Sequence, residues 1–284
     1  MLAKSKMTLL HGSLLQYGNT LLLTNVPYAL QHGVSQLLSS DLKITKDSES
    51  KAHKLKDNGF VKLNPIDVKD MSTLAKTYLS KQKSDSNGVI TLDRDKAADF
   101  TLLLYKALST QLESVLNAYY GSHFQLYWTN IMRYEKANAS VASSFGYHLD
   151  DNPKELLKVF FYLNDTHEWN AAFRAFNYET TKDLIEQGFI SSTSELRVAS
   201  QKFITPQLVK KKLHIMEGKQ GTVLIFDNNL VHKGTSPKRG YRDVVVVEVY
   251  PSNKRFTMDD VYRSLTVPYV TDYPPNPFYN DLMV

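Results

Sequence analysis

Apolar residues recur every three or four positions between Asp93 and Tyr120. Leu102, Tyr105, Leu108, Leu112, Val115, Leu116 and Tyr119 make one stripe. This spacing predicts a long helix that buries one side against a sheet and ends at Gly121. Downstream the period changes. Phe124 to Tyr134 alternates as a strand does, and strands are predicted at Gly59–Leu63, 156–163, 172–178, 221–226 and 242–250. Shorter helical patterns lie at Tyr28–Leu38, Asp67–Leu79, 180–187 and 205–212. The charge-rich stretch 41–58 reads as a solvated helix or linker, and Lys81–Gly88 as a polar loop. Val244 to Val247 is an unbroken apolar run, which predicts a strand covered on both faces. Each buried valine there contributes about 1.5 kcal/mol or more. Residues 255–284 are rich in Tyr and Pro without a period and are expected to wrap the surface irregularly. Many short strands between turn signals predict a sandwich or jelly roll, mostly β with flanking helices.

The chain has 284 residues, 42% of them hydrophobic, which fits one large domain with extensions at its ends. The expected division is an arm and linker over 1–56, the main domain over 57–252, and a tail over 253–284 packed on it. There is no cysteine, so disulfides and thiolate metal sites are excluded. This fits a reducing compartment, and the cytoplasm is the expected location. The first forty residues lack an apolar core with a small-residue cleavage site and are read as part of the fold or an arm, not as a targeting peptide. No run of about eighteen apolar residues predicts a membrane span. The formal charge of +5 points to an anionic partner. Lys and Arg are scattered, without the basic stripe interleaved with aromatics that nucleic-acid binders carry, so a nucleic-acid partner is not expected.

Candidate chemistry sits in two places. In Tyr147-His148-Leu149-Asp150-Asp151, an extended backbone points His148 and Asp150 to the same side. Asp151 is the competing carboxylate and needs a bulge to reach the same point. Far downstream, His232 follows a strand-like run and an Asp-Asn-Asn turn. Arg242 stands ten positions on (242 − 232) and opens another strand. Two imidazoles and one carboxylate, with further positions open, are the ligand set of a non-haem Fe(II) site. A lone His-x-Asp is common by chance; the downstream strand, histidine, loop and arginine are what raise its weight. A zinc hydrolase is the other metal reading of two His and one Asp. The remaining histidines have no second ligand at metal spacing.

The chain resembles the Fe(II)/2-oxoglutarate-dependent dioxygenases, and within them the phytanoyl-CoA-dioxygenase-like group. The resemblance is carried by Gly59-Phe60-Val61-Lys62-Leu63, Tyr147-His148-Leu149-Asp150, Phe160-Phe161-Tyr162-Leu163-Asn164-Asp165 and Val231-His232-Lys233-Gly234-Thr235-Ser236-Pro237 with Arg242. It spans about residues 57–252. Where such proteins carry a Gly-rich, Pro-Gly-Ser-His-like segment, this chain reads Glu168-Trp169-Asn170-Ala171-Ala172-Phe173-Arg174. The resemblance implies a double-stranded β-helix, or cupin-like jelly roll. It implies Fe(II) on His148, Asp150 and His232, with 2-oxoglutarate and dioxygen as cosubstrates. Arg242 would clamp the distal carboxylate of 2-oxoglutarate, because a planar guanidinium matches a carboxylate with two parallel hydrogen bonds. Thr235, Asn130 and Tyr134 are candidates for the same pocket, and Arg239 is the alternative clamp. The implied reaction attacks an unactivated C–H bond of a small molecule, by hydroxylation or by radical desaturation or ring closure. A carboxylate at position 150 argues against halogenation. Arg174, an arginine amid apolar alternation, and Tyr147 are the candidates for substrate contact, which together with the basic balance points to a substrate bearing carboxylates. The rival expectation is a jelly roll that has lost catalysis and binds a ligand or partner.

Overall fold

The computed structural model describes residues 32–150 and 156–267. Two antiparallel sheets face each other. The major sheet has six strands in the order β1-β7-β4-β9-β3-β2: β1 Phe60–Leu63, β2 Val89–Thr91, β3 His123–Tyr134, β4 Leu157–Tyr162, β7 Val223–Asp227 and β9 Arg242–Ser252. The minor sheet has the order β6-β5-β8, with β5 Phe173–Ala175, β6 His214–Met216 and β8 His232–Lys233. This is a jelly roll with flanking helices.

Period-two alternation decides what each face of the major sheet meets. Val159 and Phe161 of β4, Val223 and Ile225 of β7, and Val245, Val247 and Val249 of β9 face the helices and form the larger core. Phe160 and Tyr162, Leu224 and Phe226, and Val244 and Val246 face the minor sheet, where Phe173, Ala175 and Met216 meet them. The expectation that 244–247 is covered on both faces is therefore met.

The helices covering the first face are α1 Lys46–Asn58, α2 Lys69–Leu79, α3 Arg94–Ala97, α4 Thr101–Leu108 and α5 Gln111–Tyr120. Thr45 and Ser48 form a reciprocal capping box at the start of α1. Gly59 ends α1 at φ 83°, and a Cβ there would lie 2.5 Å from Leu230 Cδ2, so only glycine fits both the turn and the close approach. Residues 32–38 are also helical; the rest of the helix expected at Tyr28–Leu38 lies outside the described residues. α6 Tyr178–Glu186, α7 Ser194–Ser200 and α8 Pro206–Lys212 lie between β5 and β6 in the chain, and apolar residues of α6 and α8 cover a third cluster that includes Tyr147, Phe176 and Val231.

Three elements differ from expectation. The single helix at 93–120 is broken, with Thr110 extended at its N-cap position, because Ser109 and Thr110 favour caps over helix interiors. The strand expected over 172–178 stops at Ala175, since Asn177 caps α6 by accepting from Thr180 N. The tail is not wholly irregular: α9 Met258–Thr266 opens with a Thr257–Asp260 capping box and buries Val261 and Leu265. None of the described helices is long and apolar enough to cross a membrane.

Candidate metal centre

His148 and His232 pair across an isolated bridge. His148 N donates to His232 O at 2.8 Å, and His232 N donates to His148 O at 3.0 Å. Residues directly opposite share a face, so the two rings lie side by side, with centroids 4.3 Å apart. Each ring is fixed by its own backbone. His148 Nδ1 meets Gly146 O at 2.9 Å, and His232 Nδ1 meets Leu230 O at 2.8 Å. A carbonyl only accepts, so Nδ1 carries the proton and the Nε2 lone pair is free. Gly146 can make this turn because it has no side chain: a Cβ would sit 2.0 Å from Val141 O.

Asp150, two residues past His148, comes to the same side, its N donating to Asn228 O at 3.1 Å. His148 Nε2 lies 3.3 Å from Asp150 Oδ1, and His232 Nε2 lies 3.5 Å from Oδ2. The three donor groups fall within 4.8 Å of one another. Two imidazole nitrogens and one carboxylate oxygen on one side of a point fit a divalent iron ion and leave its other positions open. Asp151 lies outside the described residues.

One neighbour of this group was not anticipated. Lys158 Nζ lies 2.5 Å from Asp150 Oδ2 and 3.4 Å from Glu248 Oε1. Lys158 and Glu248 are direct cross-strand partners on the inner face of β4 and β9. Burial raises the Asp150 pKa, but Lys158 and the two imidazoles outweigh it and hold the carboxyl well below its usual range. Burial, with His148 beside it, lowers His232 to about 3. Both shifts keep the donors in the forms a metal needs, a carboxylate and a neutral imidazole. Burial raises Glu248, and Lys158 only partly offsets that.

Arg242 is 1% exposed. Its guanidinium lies 4.2 Å from the ring centre of Tyr134, its direct partner across β3 and β9. Nη1 donates to Ala171 O, while Nε is buried with no hydrogen-bond partner. Among the described residues no carboxylate pairs with it. Ala171 is fully buried at φ 77°, a strained region for a residue with a Cβ. Next to it, Thr235 Oγ1 donates to Ala172 O at 3.3 Å. Asn130 stands opposite Val246, on the inner face. Arg239 stacks instead on Trp169, 4.4 Å from its ring centre.

The other two predicted residues lie elsewhere. Phe173 and Ala175 face the inter-sheet core, so Arg174 between them projects from the opposite side of the minor sheet, where Glu168 pairs with it at 3.0 Å. Tyr147 packs at 5.5 Å against Phe176 in the third cluster. Burial pushes its phenol up to about 12, against the pull of Arg174.

By sequence the chain matches no family model and no curated protein. By structure it is similar to the non-haem alpha-ketoglutarate-dependent epimerase SnoN of nogalamycin biosynthesis, with TM-score 0.50 and 14% identity over 72% of this chain and 83% of that one. EctD from S. alaskensis, in a structure with bound Fe, matches at TM-score 0.51 and 15% identity over 75% and 82%. The alpha-ketoglutarate-dependent carbocyclase SnoK matches at 0.50 and 9% over 74% and 85%. The chain has the fold of these enzymes. Lys158 is the one charge in the apolar run 156–163, and Glu248 directly follows the apolar run Val244–Val247; what no single sequence shows is that register makes them partners.

Proposed function

We propose that this protein is an Fe(II)- and 2-oxoglutarate-dependent oxygenase acting on an unactivated C–H bond of a small molecule. The observation that carries the reading is the buried, unpaired guanidinium of Arg242 on the same inner face as the His148–Asp150–His232 group. A buried charge without a counter-ion costs several kcal/mol. A cosubstrate carboxylate completes it, and the planar fork of arginine suits two parallel hydrogen bonds.

In this reading His148 and His232 present Nε2, and Asp150 presents an oxygen, to Fe(II). Lys158 holds the other side of the Asp150 carboxylate and is itself held by Glu248. Arg242, with Thr235 and Tyr134 around it, fixes the distal carboxylate of 2-oxoglutarate, and Asn130 lines the same wall. Iron with 2-oxoglutarate and dioxygen supplies the oxidising power; the chain supplies binding, orientation and a dry cavity. The outcome is hydroxylation, or desaturation or ring closure. Placement in the phytanoyl-CoA-dioxygenase-like group rests on the Tyr147-His148-Leu149-Asp150 and His232–Arg242 segments. A second reading, a ligand-binding jelly roll without metal, is favoured by one contact, the Lys158 ammonium on the Asp150 carboxylate.

The test begins with Fe(II) titrated anaerobically into the metal-free protein, with and without 2-oxoglutarate. Oxygen is then admitted and succinate measured across a panel of small molecules. One Fe(II) per chain, abolished by His232→Ala, with succinate release that rises with one class of small molecule, is expected. Absence of Fe(II) binding by the wild-type protein sinks the proposal and favours the second reading.

A further inference from the structure

Two cations stand directly opposite each other in the minor sheet: Arg174 on β5 and Lys233 on β8 are register partners. Like charges in this position repel, and a native sequence that breaks a local rule does so most often at a functional site. The pair projects from the side of the sheet away from His232, since its neighbours Ala175 and His232 face the inter-sheet core. It borders a cavity of about 370 Å³ walled by residues 137–139, Phe145, Glu168, Arg174, residues 233–236 and Lys238. Arg174, Lys233 and Lys238 line that cavity, and Glu168 is the one carboxylate among the described residues that line it. The wall is tied together: Ala137 N donates to Ser236 Oγ at 2.9 Å, Gly234 N to Ser144 O at 2.8 Å, and Lys238 N to Trp169 O at 2.8 Å.

The charges inside it are incompletely met. The Arg174 side chain is 16% exposed. One of its nitrogens reaches Glu168, but its Nε is buried with no hydrogen-bond partner. The Lys233 ammonium lies 4.5 Å from the ring centre of Tyr147. A ring face attracts a cation without neutralising it, and among the described residues no carboxylate pairs with Lys233.

We propose that this cavity, which shares Thr235 with the Arg242 pocket, is a second anion site in which a carboxylate or phosphate group of a small molecule is gripped between Arg174 and Lys233. Glu168 is then the internal competitor: it occupies one face of the guanidinium until a ligand displaces it. The site does not depend on the oxygenase reading, because it needs neither metal nor 2-oxoglutarate.

Inorganic phosphate and acetate are titrated separately into the metal-free full-length protein at constant ionic strength, with chloride as the reference, and followed by calorimetry and thermal midpoint. The Arg242→Met background removes the buried guanidinium of the other pocket, so signal that is then lost on Lys233→Met or Arg174→Met belongs to this cavity. Saturable, single-site binding is expected. Removing one charged hydrogen-bonding partner weakens binding by about tenfold or more, so Lys233→Met and Arg174→Met each show at least that loss. Glu168→Gln, which keeps the fold's polar contacts and removes the competitor, binds the anion more tightly than wild type. Lys219→Met, on the surface, changes nothing. Stronger response to phosphate than to acetate assigns a phosphate ligand, and the reverse assigns a carboxylate. Responses to both anions no larger than to chloride, or equal losses in Lys233→Met and Lys219→Met, or weaker binding by Glu168→Gln, each overturn the proposal.

Discussion

Two buried arginines, one beside the other's partner, are treated in opposite ways. Arg133 on β3 faces the helices. Opposite it Asp243 supplies a bidentate partner, with contacts of 2.7 and 2.8 Å, and both side chains are buried. Arg242, the residue before Asp243, points to the other face of the same strand and meets Tyr134, where no carboxylate among the described residues answers it. The first pair is finished by the chain itself and serves the fold. In the proposed reading the second is completed by 2-oxoglutarate. Across the sheet the same contrast holds more broadly. The helix side is dominated by Val, Leu, Ile and Phe, while the inner side carries Lys158, Glu248 and Arg242 among its apolar residues. A polar group buried without its partner costs stability, and in the reading proposed above Arg242 marks this face as the one that binds.

The sharpest way to break this contrast is Asp243→Asn. Removing one partner of a buried ion pair leaves the other uncompensated and costs about 3–5 kcal/mol. The loss is expected in chemical denaturation and is not restored by 2-oxoglutarate. Arg242→Met is the opposite experiment. It removes a charge that has no carboxylate partner among the described residues, so the metal-free protein is expected to be no less stable than wild type. The cost falls on the ligand: losing a buried charged contact is worth about 2–5 kcal/mol, so the constant for 2-oxoglutarate rises by roughly a hundredfold. Equal destabilisation by both substitutions, with 2-oxoglutarate affinity unchanged, would show that the two arginines do the same job.

The inner face was legible in outline. His148, Asp150 and His232 converge as the period-two spacing and the downstream strand implied, because those features depend on local geometry. What stayed hidden depends on register and facing. Lys158 and Glu248 are charges among apolar strand residues that drew no reading from the sequence, and their pairing follows from which residue of β4 meets which of β9. Arg174 was visible as an anomaly, yet alternation alone does not say which side of the minor sheet it faces; Phe173 and Ala175 decide that by entering the core. The break at Ser109-Thr110 and the Thr257–Asp260 capping box were readable local signals that a wider window outweighed: a continuous stripe in the first case, a Tyr- and Pro-rich composition in the second.

The smallest expected effect reads the charge of Arg242 from a distance. Tyr162, fully buried on the inner face, donates its hydroxyl to Met216 O at 2.7 Å. Burial pushes its phenol up to about 12, and the Arg242 guanidinium pulls against that rise. A free tyrosine titrates near 10. Between pH 10 and about 12 the unfolded chain loses this proton and the folded one keeps it, so stability is complete below pH 10 and declines as pH rises. The slope from one such group is about 1.4 kcal/mol per pH unit. Tyr162→Phe is expected to remove that much from the alkaline slope of a denaturation series. Arg242→Met should leave the onset near pH 10 but carry the decline to higher pH, since the charge favouring the phenolate is gone. Other buried tyrosines, Tyr147 among them at about 12, keep the remaining slope in both variants. An alkaline profile that Arg242→Met leaves unchanged would mean that the guanidinium exerts no field at Tyr162, and the inner face would then lack the unpaired positive charge on which its contrast with Arg133 and Asp243 depends.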